Sequence, residues 1–244
     1  NEVVLRCQQL DDEMLEVLAL LRERTAKLAA HKDGETHMLL PASVLYAEAV
    51  DGKTFLCTAD MVLETAHSLA RLEELERSAT LDDALAFFDA CPAVAVDDML
   101  GAWRGGGLAT DHPMDGMLEA TGWHGKRFDS VDAVHPLIFG TRPKLFSVNP
   151  ALLPMKAAVS LTPLLENRTV SALSARVLRL ARTTKPAARL RPVEYRGVVT
   201  ATMSYDALPI NDHFRKVDDD TVIGAMDFRA IDRPFLFTLR RETA

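Results

Sequence analysis

The sequence predicts an α+β protein: a β-rich antiparallel barrel with inserted helices, joined to a small N-terminal helix/strand module. Three observations carry that reading. The C-terminal part alternates apolar and polar residues with period two, one run after another. Helical periodicity is confined to separate segments between the strand patterns. The chain has 244 residues, 48% hydrophobic and 26% charged. That composition suits one large globular domain or two small ones.

The elements follow in order. Residues 10–28 read as a helix, with Leu10, Met14, Val17, Leu18, Leu21 and Leu28 recurring at helical spacing and Asp11 and Asp12 in its first turn. His37–Leu40 and Val44–Thr58 read as strands, broken at Pro41 and turned at Asp51-Gly52. Residues 63–77 carry a leucine stripe, Leu69, Leu72 and Leu75, that predicts a helix. Thr80 with Asp83 three residues on resembles a capping box opening a third helix, whose apolar face is Leu81, Leu85 and Phe88. A Gly-rich run, Gly101–Gly107, comes next, then strand-like pieces near 117–128. Residues 150–182 read as helical, interrupted by Pro154 and Pro163. Residues 194–205 read as one strand with Tyr195, Val199, Ala201, Met203 and Tyr205 on one face. A hairpin follows, 208–217 and 221–229 about Asp218-Asp219-Asp220, and Phe235–Arg240 is the last strand. The boundaries read as 1–78, 79–140 and 141–244, the last two forming one barrel-like unit.

Charge is uneven. The net charge of −7 divides into −7 over residues 1–80, −7 over 81–135, +9 over 136–197 and −2 over 198–244. A cationic block can meet phosphates or anionic lipid; it can equally pair with the acidic blocks. No run of about 18 apolar residues is free of charge, so no membrane-spanning helix is expected. Cys7, Cys57 and Cys91 are far apart and form no CxxC pair, which argues against a disulfide framework. With no signal-peptide pattern at Asn1–Arg6, the expectation is a reducing, cytoplasmic setting.

Two resemblances add to this. Val44–Phe55 and Ser68–Leu75 resemble the first half of the LytTR-type DNA-binding domain of bacterial regulators. That resemblance implies DNA contact at Lys53 and Thr54. The family's later aromatic-Arg strand and basic loop are absent. The second covers residues 80–242. Met99-Leu100-Gly101-Ala102-Trp103-Arg104-Gly105 looks like the signature of the GXWXG family, followed by His112–Gly116, Gly122–Phe128 and His135–Leu137. The runs Val193–Gly197, Asp206–Ile210, Asn211–Asp218 and Pro234-Phe235 are similar to that family's companion C-terminal domain of unknown function (family 4334). A Gly-x-Trp strand opening a β-rich domain is also similar to lipocalin-like barrels, which implies a cavity for small apolar ligands.

The candidate chemistry is sparse. Trp103, between glycines, either lines a ligand cavity or plugs a barrel end. His213 and Arg215 share a strand face with Asn211, while Asp212 points the other way. Such a face can form a polar floor inside a cavity, with His213 as general acid–base. His112 and Asp115 flank Pro113 in a loop, and Lys126 and Arg127 stand beside Trp123 and His124, where they suit an anionic group. No metal-ligand spacing, phosphate loop or nucleophile elbow is present, so neither metal nor cofactor is expected.

The leading expectation is a barrel that binds a small, mostly apolar molecule. Trp103, Trp123, Tyr195 and Tyr205 supply surface, and His213, Arg215 and Glu194 supply orienting polar groups. The alternatives are a LytTR-like transcriptional regulator that binds DNA through Lys53, Thr54 and the basic block, and a barrel enzyme using His213.

Overall fold

A computed structural model describes residues 4–6, 28–32, 35–50, 53–65, 67–153 and 176–242. The helix expected at 10–28 lies outside these residues, as does most of the helical stretch expected at 150–182. By contacts the chain forms two compact units, 1–73 and 74–244.

The first unit holds a six-stranded sheet. Its strands are β1 (Val4–Arg6), β2 (Leu28–Lys32), β3 (Glu35–Leu39), β4 (Tyr46–Val50), β5 (Lys53–Cys57) and β6 (Val62–Thr65), in the order β1-β4-β5-β6-β2-β3. Only β1–β4 is parallel. Ala47, Leu56 and Leu63 are fully buried. Residues 63–65, expected to begin a helix, belong to the strand β6 instead. Helix α1 (His67–Arg77) starts only after it. Val62, Leu63 and Glu64 pair with β5, while the leucine stripe Leu69, Leu72 and Leu75 lies within α1.

The second unit is a closed barrel. Helix α2 (Leu81–Ala90) opens as the sequence predicts, with the Thr80 hydroxyl accepting from Asp83 N–H at 3.1 Å. A cap of this kind is worth about 1 kcal/mol. The barrel strands are β7 (Gly101–Gly107), β8 (Trp123–Ser130), β9 (Ala133–Phe139), β12 (Ala188–Tyr195), β13 (Val198–Tyr205), β14 (Ile210–Lys216), β15 (Thr221–Phe228) and β16 (Phe235–Arg241). Each pairs antiparallel with the next, and β16 returns to β7. The β8–β9 pairing closes the ring, an up-and-down arrangement that leaves no free edge. Two short strands, β10 (Phe146–Val148) and β11 (Arg182–Thr183), extend from β9 on the outside of this cycle. Helix α3 (Met117–Thr121) lies in the β7–β8 connection, where strand had been expected.

The single strand expected at 194–205 is two. Arg196 and Gly197 both have positive φ, 51° and 78°, and form the two-residue turn of a hairpin in which Tyr195 pairs with Val198. The turn places Tyr195 on a different strand from Ala201, Met203 and Tyr205.

Alternation then decides what lies inside. Phe235, Phe237 and Leu239 of β16, Phe214 of β14 and Phe128 of β8 belong to the barrel core. Phe214 meets Phe128 and Phe237 edge-on, with ring centroids 6.0 and 6.2 Å apart. Space for these rings comes from glycine. A Cβ on Gly224 would lie 2.3 Å from the Phe237 ring, and one on Gly105 would lie 2.0 Å from the Trp123 ring. Each fully buried ring of this kind contributes roughly 1.5–3 kcal/mol.

Candidate functional site

One end of the barrel is sealed. Trp103 is buried there, donating its indole N–H to the Met99 carbonyl at 2.8 Å. The Arg241 guanidinium covers the indole at 4.3 Å and donates to the Leu100 and Asp98 carbonyls. Trp103 is thus a plug, held by a cation over its face.

Above the aromatic layer lies a buried ion pair. Lys126 Nζ sits 2.7 Å from Asp212 Oδ2, with side chains 4% and 1% exposed. Trp103 faces Lys126 in the β7–β8 ladder, and Asp212 alternates with His213 toward the core side of β14. The ammonium is ringed by aromatics: Phe237 at 5.0 Å, Trp123 at 5.4 Å and Tyr205 at 5.8 Å from ring centroid to nitrogen. Burial pushes the Asp212 carboxyl above its usual range, and the ammonium opposes that shift. Burial also raises the Tyr205 phenol well above 10, and the Asp212 charge adds to it. Two buried polar atoms beside this pair have no hydrogen-bond partner: Asp212 Oδ1, an acceptor, and Trp123 Nε1, a donor.

The end opposite Trp103 carries apolar side chains that are only half buried. Leu118, Tyr205, Leu208 and Ile231 come from three connections and one strand terminus there. His112 and Asp115 belong to the β7–β8 connection at this end and stabilise its turn. Asp115 Oδ2 accepts from the N–H groups of Thr110 and His112 at 2.8 and 2.9 Å. His112 Nδ1 accepts from Met114 N–H at 3.1 Å, which leaves Nε2 to donate to the Arg233 carbonyl. Burial holds His112 below the ordinary imidazole value.

The expected polar floor of His213, Arg215 and Asn211 does not lie inside the barrel. These side chains alternate away from Asp212 and Phe214 and occupy the outer face of β14. His213 stacks flat on Tyr195, with centroids 3.8 Å apart, and bonds Thr202 at 2.9 Å. It is 3% exposed, and burial lowers its pKa to about 4. Arg215 lies 5.2 Å over Phe88 of α2 and donates to the Cys91 and Tyr195 carbonyls. Its function there is to fasten α2 to the wall. Tyr195 is thereby an outer-face residue, not a cavity one, and Glu194 is exposed beside it. Arg127 is exposed and pairs with Asp129 at 2.9 Å.

In the N-terminal unit, Lys53 opens β5 and Thr54 follows it. Thr54 is buried, with its hydroxyl unpartnered, so that side chain does not present itself to a DNA groove. Within the cationic block, Arg142, Arg189, Arg191 and Arg196 pair with Glu242, Asp206, Asp132 and Asp89. The block is therefore neutralised, at these four positions, by carboxylates of the flanking segments.

Asp212 was not among the residues singled out from the sequence. The signal was present: Asp212 and Phe214 share a face, and an acid on an apolar face calls for a cation across the barrel. Among the described residues no three His, Cys, Asp or Glu side chains gather as a metal site. No helix among them is long and apolar enough to cross a membrane.

The architecture is that of an eight-stranded up-and-down barrel with a Gly-x-Trp plug and a buried polar pair. The chain matches the family models of the GXWXG protein over residues 86–143 and of a domain of unknown function, DUF4334, over residues 186–241. It is similar to the solved structure titled "Crystal structure of protein from Thermomonospora curvata". The two are 32% identical over 72% of this chain and 99% of that one, with a TM-score of 0.54. The chain thus carries a GXWXG domain and a DUF4334 domain. The two matched segments lie within the barrel unit, one on each side of the β10–β11 insertion. None of the curated proteins matches the chain.

Proposed function

We propose that the barrel binds a small, mostly apolar molecule at the end opposite Trp103 and orients the molecule's polar group on Lys126, Asp212 and Trp123. The observation that carries this reading is the pair of unpartnered buried atoms, Asp212 Oδ1 and Trp123 Nε1, beside the ammonium. An orphaned buried polar group costs about 1–3 kcal/mol, so an acceptor and a donor left open together favour a partner supplied from outside. A hydroxyl meets both demands, because it donates one hydrogen bond and accepts another. The half-buried apolar side chains Leu118, Tyr205, Leu208 and Ile231 would cover the ligand's apolar body. The Tyr205 ring, 5.8 Å from Lys126 Nζ, would reach from that rim to the polar group and pack on the ligand along the way.

The DNA-binding reading finds less support, since Thr54 is buried and four arginines of the basic block are already paired. The experiment is a titration with 1-anilinonaphthalene-8-sulfonate, an apolar fluorophore with an anionic group. The proposal expects saturable enhancement that dodecanol displaces, weakened at least about tenfold by Tyr205→Ala. Enhancement that dodecanol leaves untouched, or the absence of saturation, contradicts it.

A further inference from the structure

The barrel wall carries a second arrangement, built on three residues that the ligand reading does not use. Three adjacent strands, β8, β9 and β10, contribute Asp129, His135 and Ser147. Ser147 Oγ lies 3.2 Å from His135 Nδ1. On the other side of the ring, His135 Nε2 lies 3.3 Å from Asp129 Oδ2. His135 and Ser147 line a cleft of about 210 Å3, whose wall also includes Lys126, Ile138, Phe146, Arg182 and Thr183. His135 is buried, while Ser147 is half exposed to the cleft.

The protonation pattern follows from the partners. A carboxylate only accepts, so the imidazole's proton belongs on Nε2, facing Asp129. Nδ1 then presents a lone pair to Ser147, whose hydroxyl donates to it. Burial, with the Arg127 charge, holds His135 below 6.5, so the ring is neutral at neutral pH. Asp129 opposes that shift and fixes the tautomer. Nucleophile, base and orienting acid thus stand in sequence. Thr183 pairs with Ser147 across the β10–β11 ladder. Its hydroxyl accepts from Lys185 N–H at 3.0 Å, which leaves the hydroxyl proton free for an oxyanion.

We propose that this cleft is a hydrolytic site for small esters, with Ser147 as nucleophile, His135 as general base and Asp129 as its positioning residue. Ser147 Oγ attacks the ester carbonyl carbon and its proton passes to His135 Nδ1. The carbon–oxygen bond to the alcohol breaks, and the same proton leaves with the alcohol. Water then attacks the acyl-serine ester and gives its proton to Nδ1. Cleavage of the Oγ–carbon bond releases the acid and returns the proton to Ser147. Ile138 and Phe146 would hold the apolar part of the substrate.

The test uses the full chain. A fluorophosphonate probe is added and the adduct is located by peptide mass spectrometry. In parallel, p-nitrophenyl acetate is followed for a burst of p-nitrophenolate. The proposal expects the adduct on Ser147 and a burst of about one equivalent per chain. Ser147→Ala and His135→Gln each lower the acylation rate at least about a thousandfold. Asp129→Asn moves the midpoint of the rate's rising pH limb to lower pH, because the carboxylate that supports protonation of His135 is gone. A merely structural Asp129 would lower the rate without moving that midpoint. Failure of the probe to label Ser147 in the unsubstituted protein overturns the proposal. So does equal labelling of a His135→Gln variant that keeps the parent melting temperature.

Discussion

Lys126 and Asp212 meet at 2.7 Å inside the barrel although 86 residues separate them in sequence. The contact ties β8 to β14 across the interior, and it is the only charge-assisted bond Asp212 makes among the described residues. Removing one partner strands the other in an apolar surround, which costs about 3–5 kcal/mol, whereas removing both together costs far less. Lys126→Met and Asp212→Leu should each destabilise the protein by that order, and the double variant should recover most of the loss. Urea unfolding of the four proteins measures the coupling; additive losses would contradict a shared pair.

Glycines in β7 differ sharply in what they tolerate. A Cβ on Gly105 falls 2.0 Å from the Trp123 ring, while one on Gly106 meets nothing nearer than Thr238 Oγ1 at 3.5 Å. Gly105→Ala is expected to cost about 1–3 kcal/mol through overpacking, and Gly106→Ala to be close to neutral. Thermal melting of both variants checks the contrast.

His213 predicts an acid sensitivity. Its folded pKa, about 4, lies below the ordinary 6.5, so the unfolded chain takes up its proton first as the pH falls. Stability therefore declines as pH drops from 6.5 toward 4 and the decline ends below that, a loss of roughly 3 kcal/mol from this group. His213→Gln should flatten that part of the pH–stability curve. Denaturant melts at pH 7 and pH 4.5 on both proteins make the comparison, and an unchanged slope would show the ring is not the cause.

The plug makes a spectroscopic prediction. Trp103 and Trp123 are the two tryptophans of the chain. Arg241 covers Trp103 at 4.3 Å and also reaches the carbonyls of Leu100 and Asp98. Arg241→Ala should expose the indole, red-shift the tryptophan emission and lower stability by about 2 kcal/mol. A Trp103→Phe background should abolish the red shift.

The β-rich barrel was legible because its strands are half-buried and alternate. Phe235–Arg240 read as a strand without any tertiary knowledge, and the Thr80 cap announced α2. The Gly-x-Trp motif raised the plug as one of two readings for Trp103. What sequence could not supply was the sidedness of each strand. His213 and Arg215 share a face in any β-strand, but whether that face is lumen or outer wall depends on Phe214 finding Phe128 and Phe237 across the barrel. The Arg196-Gly197 turn was hidden because Arg at positive φ is uncommon, and missing it misplaced Tyr195. Ser147 went unnoticed for a different reason: β10 is three residues long, too short to show a period, and without it His135 stood only within a family run.

A small molecule seated over Lys126 and Asp212, as proposed, would accompany the protein through purification. Native mass spectrometry of the protein purified from its own host's lysate, set against its denatured mass, tests it most directly. An additional small-molecule mass is expected, lost on denaturation and absent from the Tyr205→Ala protein. An identical native and denatured mass, with no uptake when the host's apolar extract is added back, would contradict it.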